Sequence, residues 1–182
     1  MDITFVTGNQ HKADQYARLL DMSLAHQKVD LDEIQSADIR EVALHKINQA
    51  YEKIGRPVVI DDFGFCIEAL NNLPGPFTKF FVTPADGLEK LCRITDSLES
   101  RRAKVQCALA YKDGKHTKVF VKELYGEVSD HPCGELGIDT DKIFQPEGYG
   151  GRTRSQLSQD EYDEVYLKVR PIEELREFLS TL

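Results

Sequence analysis

The stretch ITFVTGNQHK, residues 3–12, sets the fold class, because it joins a short apolar strand to a helix that opens with a lysine. Gly8 lets the backbone bend without a Cβ clash, and Asn9 supplies amide donors. Lys12 adds a cation where unpaired backbone N–H groups already favour an anion. We therefore predict a phosphate-binding turn over residues 7–12, with Gly8, Asn9 and Lys12 as the residues that contact a phosphorylated substrate. It is not a Walker A loop, and an ordinary tight turn between strand and helix stays the alternative.

Length and composition predict one intracellular domain over residues 1–182. The chain has 41% hydrophobic residues, enough for a sizeable core, and a formal charge of −8. That charge argues against a nucleic-acid partner and against an anionic membrane surface. The four cysteines form no C-x-x-C pair, so reduced thiols in a cytoplasmic protein are expected. No basic leader and no apolar run of about 18 residues is present, so we expect neither secretion nor membrane spanning.

The order of apolar segments predicts an α/β fold. Helical spacing marks a first helix after the turn, a second that ends before Gly55, and a final one that begins near Pro171. The compact strand at residues 58–60 suits a partly parallel sheet with helices on both faces. Two β-rich runs flank Asp113-Gly114, which is typical of a hairpin. We expect a mixed sheet with an antiparallel β sub-lobe.

Two adjacent carboxylates follow the strand at residues 58–60, in Asp61-Asp62-Phe63-Gly64. Ligands of open α/β sheets collect beyond the carboxyl ends of strands, so this pair suits a hard cation. Successive strand residues point to opposite faces, and only a turn here brings both carboxylates to one ion. Turn chemistry alone is the alternative. A protein kinase is excluded, because the Gly-rich and His-Arg-Asp loops are missing.

Four further charged positions are ambiguous. Asp38 and Glu41 have the spacing of a helix capping box, although either side chain could face a metal ion. Lys46 and Lys79 read individually as solvated surface lysines.

Six segments in order resemble the inosine triphosphate pyrophosphatase family, also called Ham1-like. They span nearly the whole chain, and no single one is decisive. They are Thr7-Gly8-Asn9 with Lys12, Asp30-Leu31 with Glu33-Ile34-Gln35-Ser36, Lys46 with Ala50-Tyr51, Pro57-Val58-Val59-Ile60-Asp61-Asp62, Leu73-Pro74-Gly75-Pro76-Phe77-Thr78-Lys79-Phe80-Phe81, and Phe144-Gln145-Pro146-Glu147-Gly148-Tyr149.

The resemblance implies a homodimeric, Mg²⁺-dependent enzyme that cleaves inosine, xanthosine and deoxyinosine triphosphates to the monophosphate and pyrophosphate. It also implies an elongated α/β fold with the substrate in a cleft between two lobes. The residues that it assigns to the phosphates are Thr7, Asn9, Lys12, Lys46 and Lys79. It makes Asp62 the catalytic residue and assigns magnesium to Asp62, Asp61 and an acidic group near Asp38.

The chain departs from this family where the purine base is read. The family usually has Phe-Gly-Tyr/Trp-Asp-Pro, but this chain has Leu136-Gly137-Ile138-Asp139-Thr140 and then two extra residues, Asp141-Lys142. The closing Ser-His-Arg becomes Tyr166-Leu167-Lys168. Asp139 and Lys168 remain substrate-binding candidates, although a lysine lacks the planar fork of an arginine. The candidates to replace the lost contacts are Tyr149, Arg152, Arg154, Tyr162 and Tyr166.

We therefore expect a nucleoside triphosphate pyrophosphatase with altered or relaxed base selection. Loss of polar donors in a site that reads the base should weaken discrimination. A nucleotide-binding protein with little catalysis is the alternative, and a preference for modified pyrimidine triphosphates is also open. Three neighbouring aromatics, Phe77, Phe80 and Phe81, fit either a dimer contact or a core.

Overall fold

The computed structural model describes residues 2–182, with His11 described in its backbone alone. Within that range the strands and helices are β1 (Ile3–Val6), α1 (Gln10–Leu20), β2 (Leu24–Gln27), α2 (Ile39–Ile54), β3 (Val58–Ile67), β4 (Leu73–Gly75), α3 (Thr78–Val82), α4 (Gly87–Asp96), β5 (Arg102–Lys112), β6 (Thr117–Val128), β7 (Phe144–Pro146), α5 (Gln159–Val169) and α6 (Ile172–Ser180). No helix in this range has the length and apolar character needed to cross a membrane.

The strands form one mixed sheet of seven strands. Their order is β2-β1-β3-β5-β6-β7, and β4 pairs with β3. β1 runs parallel to β2 and β3. β4 runs antiparallel to β3, and β7 antiparallel to β6. These pairings confirm the predicted mixed sheet of the α/β class.

The first of two compact units consists of the chain up to Asp62, residues 107–121 and residues 171–182. Helices cover both faces of its strands. One hydrophobic cluster packs α1 and α6 on the strand face that contains Phe5 and Val59. A second packs α2 on the face that contains Val58 and Ile60. Alternation along a strand is the reason that neighbouring residues enter different clusters.

α2 and α6 lie where they were predicted, whereas α1 begins at Gln10, two residues before the lysine that was expected to open it. Asn9 caps the N-terminus of α1 by accepting a hydrogen bond from the Lys12 amide. α2 ends at Ile54, and Gly55 caps it with a positive φ of 71°. α6 follows Pro171 and buries Ile172 and Leu175.

One boundary differs from the prediction. The strand expected to end at Ile60 continues to Ile67, so the turn expected at residues 61–64 is absent. Residues 65–67 are fully or almost fully buried, and they pair with β4 from Phe65 opposite Gly75 to Ile67 opposite Leu73. This ladder keeps the chain extended past two aspartates, which are poor strand formers on their own.

The second unit consists of residues 63–106 and 122–170. In it Phe65 and Phe144 meet edge to face, with ring centroids 6.1 Å apart. A smaller cluster is built on Tyr149, Leu157 and Val165. The interpretation of residues 1–182 as one domain with a substrate cleft stays a prediction.

Candidate active site

The turn after β1 presents an electropositive helix end. The Asn9 amide donates to Thr7 Oγ1 and the Lys12 amide to Asn9 Oδ1, each at 3.2 Å. No acidic residue lies in the first turn of α1. His26 of β2 places Nε2 2.7 Å from the Thr7 carbonyl oxygen. Because a carbonyl only accepts, this contact requires a proton on Nε2 and fixes the start of the turn.

Asp61 is held by two residues of α1. Its side chain is only 3% exposed, and Oδ1 forms an ion pair with Lys12 Nζ. Its Oδ2 accepts a hydrogen bond of 3.1 Å from the Tyr16 hydroxyl. A buried carboxylate needs both a counter-charge and donors. Lys12 and Tyr16, one helical turn apart, meet both needs.

Asp62 is held from α2 instead. Its Oδ1 lies 2.5 Å from Lys46 Nζ. The same ammonium lies 3.1 Å from Glu33 Oε1, so two carboxylates share one lysine. Burial on its own would lower the pKa of Lys46, but the charges and hydrogen bonds of Asp62 and Glu33 raise it. Lys46 therefore stays charged.

The second oxygen of Asp62 is the unusual atom of the site. Oδ2 is buried and has no hydrogen-bond partner among the described residues. Burial raises the pKa of Asp62 to about 6; the charges of Asp61 and Glu33 add to the shift, and Lys46 opposes it. A buried polar atom without a partner costs free energy and points to a ligand or proton that would satisfy it.

Asp61 and Asp62 lie on opposite faces of β3. Val59 shares a cluster with α1, whereas Val58 and Ile60 share one with α2. The two carboxylates continue that alternation, since Asp61 contacts α1 and Asp62 contacts α2. The turn that was to bring both acids to one ion is absent, as described above.

Asp38 serves as the N-cap of α2. Its Oδ1 accepts a hydrogen bond of 2.8 Å from the Arg40 amide. Glu41 does not close the capping box, because its Oε2 accepts from Ser36 Oγ at 2.7 Å. Among the side chains that the structure describes, no three acidic, histidine or cysteine groups converge as they would around a metal ion. The metal role assigned to Asp38 stays a prediction.

Three predicted contacts belong to the second unit. Lys79, in α3, and Asp139 are exposed. Lys168 is exposed too, and its Nζ contacts Glu164 Oε1 at 2.7 Å and the Tyr149 hydroxyl at 2.8 Å. Their roles toward a substrate stay predictions.

Asp141 links two other side chains of the second unit. Its Oδ1 pairs with Arg154 Nη1 at 2.7 Å, and its Oδ2 accepts from the Tyr162 hydroxyl at 2.8 Å. The Arg154 guanidinium lies 3.8 Å from the centre of the Tyr162 ring. A Cβ on Gly137 would lie 2.2 Å from Asp141 Oδ2, so only glycine fits there. We call Asp141, Arg154 and Tyr162 the Asp141 network.

Sequence reasoning missed two residues of the first unit. Glu33 lies in a segment without regular secondary structure, so no periodicity singled it out, although it falls within one of the six matching segments. Tyr16 was predicted only as part of the apolar face of α1. Its ring is buried there, but its hydroxyl contacts Asp61.

Comparison with known proteins gives consistent matches over the whole chain. A family model described as the Ham1 family matches residues 3–178. The dITP/XTP pyrophosphatase of Saccharolobus solfataricus is 33% identical over 182 residues, which cover 98% of this chain and 94% of that protein. The inosine triphosphate pyrophosphatase of Kluyveromyces lactis is 32% identical over 187 aligned residues, which cover 98% of this chain and 95% of that protein. The solved structure of the Staphylococcus aureus Ham1 protein matches with a TM-score of 0.87 at 26% identity, covering 100% of this chain and 99% of that one.

Proposed function

The chain belongs to the Ham1 family, and from that premise we propose that it hydrolyses non-standard purine nucleoside triphosphates, such as ITP, XTP and dITP, to the monophosphate and pyrophosphate. The names of the two relatives described above support this substrate class. One observation connects the proposal with particular residues of this chain. The Asp62 carboxylate has a buried oxygen without a described partner, beside a charged lysine and a second carboxylate.

The reaction places three demands on such a site. A triphosphate repels a hydroxide-like nucleophile, so phosphate charge must be neutralised, the water positioned and the leaving pyrophosphate stabilised. The turn at residues 7–12 supports the first demand with Lys12 and the electropositive end of α1. Lys46, and Lys79 from the second unit, are the further cations that we assign to the phosphates.

Asp62 is the residue that we assign to the attacking water. Its oxygen without a described partner can orient a water molecule. Without a metal ion its pKa is raised to about 6 by burial, so at neutral pH the group is charged and still basic enough to accept a proton. Lys46 keeps the carboxylate in place through Oδ1.

Magnesium fits the carboxylates of the α2 side of β3. Mg²⁺ is commonly bound by one or two carboxylates together with waters and substrate phosphates, so a three-acid cluster is not required. Asp62, with its buried Oδ2, and Glu33, on the same lysine, are the residues that would hold it. A bound magnesium ion would supply phosphate neutralisation and make water a better nucleophile. Asp61 suits this role less well, because Lys12 and Tyr16 already hold its two oxygens.

We also propose that base selection is altered or relaxed. Ile138 and Leu167, at two positions where the family reads the base, are 72% and 47% exposed and offer no polar side-chain atom. In the Asp141 network, Arg154 packs on the Tyr162 ring and the Tyr162 hydroxyl donates to Asp141. These contacts leave both side chains less able to replace the lost donors. A site with few polar side-chain contacts to the base should discriminate only weakly between bases.

A homodimer, implied by the resemblance, stays a proposal. Phe80 and Phe81 of α3 are 72% and 40% exposed, as an association surface requires. Sedimentation velocity of the purified chain is expected to give twice the monomer mass of 20.7 kDa at micromolar concentration. A monomer there would contradict the proposal.

The function is tested by pyrophosphate release from purified protein with Mg²⁺. The substrates are the triphosphates of inosine, xanthosine, deoxyinosine, adenosine, guanosine, cytidine and uridine. We expect release from the first three, and slower but measurable release from others if selection is relaxed. Release from the first three alone would contradict relaxed selection but not the activity. Release from none would favour a nucleotide-binding protein with little catalysis.

A further inference from the structure

Tyr16 belongs to the hydrophobic core through its ring and to the candidate site through its hydroxyl. The residue is fully buried. Its ring stacks on Phe5 with centroids 4.7 Å apart, and its hydroxyl donates to Asp61 Oδ2 at 3.1 Å. A phenylalanine would fill the same space and keep the stacking. The hydroxyl therefore has an effect that is separable from packing.

Lys12 can pair with two different anions. Its ammonium is paired with Asp61, yet it also lies in the first turn of α1, where the proposed function places a phosphate. If the ammonium turns to a phosphate, Asp61 loses its counter-charge while its side chain is only 3% exposed. Water cannot replace the lost contact well at that burial. Among the described donors, the Tyr16 hydroxyl is the one that keeps its hydrogen bond to Asp61.

We propose that Tyr16 is a positioning residue of the phosphate site. By holding Asp61, its hydroxyl lets Lys12 change partner from that carboxylate to the substrate. The inference rests on the proposed function, since it needs a phosphate at the turn. Without the hydroxyl, Asp61 depends on Lys12 alone and keeps it away from the substrate, so substrate affinity falls.

The test compares Tyr16→Phe with Tyr111→Phe. Tyr111 is also fully buried in the same cluster, and its hydroxyl donates to Asp113 of the β5–β6 turn at 2.9 Å. Each variant loses one hydroxyl hydrogen bond to an aspartate and keeps its ring. Four quantities are measured: the Kd of inosine α,β-methylene triphosphate by calorimetry at fixed Mg²⁺, the KM for ITP, the kcat for ITP, and the midpoint of thermal unfolding.

We expect Tyr16→Phe to raise both Kd and KM about tenfold, the usual order for a lost hydrogen bond to a charged group. Its kcat should change less, because the lost interaction acts on phosphate binding. Tyr111→Phe should leave Kd and KM unchanged while lowering the unfolding midpoint by a similar amount. In a Lys12→Met background, adding Tyr16→Phe should cause no further loss of affinity, because the lysine that the Tyr16 hydroxyl would free is absent.

Equal Kd values for Tyr16→Phe and the unsubstituted chain would overturn this inference and leave the proposed function standing. So would a further loss of affinity in the Lys12→Met background that equals the loss in the unsubstituted chain. If the unsubstituted chain neither binds the analogue nor hydrolyses ITP, the proposed function fails, and this inference fails with it.

Discussion

Asp61 and Asp62 are neighbours in β3, yet their carboxylates contact lysines of different helices, Lys12 of α1 and Lys46 of α2. Strand alternation separates two tasks that adjacent acids would otherwise share. One pair lies at the proposed phosphate turn, and the other holds the buried oxygen that we assign to catalysis. Substitutions in the two pairs should therefore affect different kinetic constants.

Asp62→Asn is expected to lower the rate of pyrophosphate release from ITP at least about a hundredfold, because an amide is neutral and cannot accept the proton of the attacking water. The fold should persist, as judged by circular dichroism, since the side chain keeps its size. Asp160→Asn, at an exposed position in α5, is the control and should retain full activity. Full activity in Asp62→Asn would remove Asp62 from the mechanism.

The Asp62 carboxyl is expected to titrate near pH 6 in the metal-free protein, well above the usual range of an aspartate, about 4. It is protonated below that pH and charged above it. Lys46→Met should raise this pKa further, because the lysine charge favours the ionised form. Carbon NMR of the aspartate carboxyl groups measures both values. Lys90→Met, a change at an exposed lysine of α4, should leave the pKa unchanged. A midpoint near 4, or no response to Lys46→Met, would contradict the burial argument.

Lys12→Ala is expected to raise the KM for ITP about tenfold or more, because it removes a charge-assisted contact to phosphate. Leu167→Ala should change KM less, since Leu167 is 47% exposed and has no polar side-chain atom. Steady-state kinetics of both variants gives the ranking. The reverse order would show that the phosphates bind elsewhere than at the turn after β1.

Asp141→Asn is expected to lower the free energy of unfolding by about 3 kcal/mol, because it leaves the charge of Arg154 buried without a counter-charge. The Arg154 side chain is only 9% exposed. Urea unfolding followed by circular dichroism measures the change. Asp163→Asn, at an exposed position of α5, should shift the value by less than about 0.5 kcal/mol. Equal stability of the two variants would mean that the Asp141 network contributes little.

Local patterns predicted the elements whose stability is local. Helical spacing and caps located α1, α2 and α6, and Asp113-Gly114 located the β5–β6 hairpin. The continuation of β3 past Asp61 was not predicted, because it depends on pairing with β4, a contact that short-range propensity does not contain. The same limit explains why a turn was wrongly expected at residues 61–64.

The site shows the same division between local and tertiary information. The turn at residues 7–12 and the adjacent aspartates could be found from residue types alone. Glu33 could not, since its relation to Asp62 passes through Lys46 on another element. Tyr16 could not either, because periodicity reports where a ring packs but not where its hydroxyl ends.

The fit around Gly137 limits how this segment can change over time. Asp141 and the Tyr162 hydroxyl fill the space that any larger side chain would take, and Arg154 needs Asp141 as its counter-charge. Because these contacts depend on one another, a change at any one of the four residues removes support from the others, so the segment is expected to tolerate only coordinated substitutions.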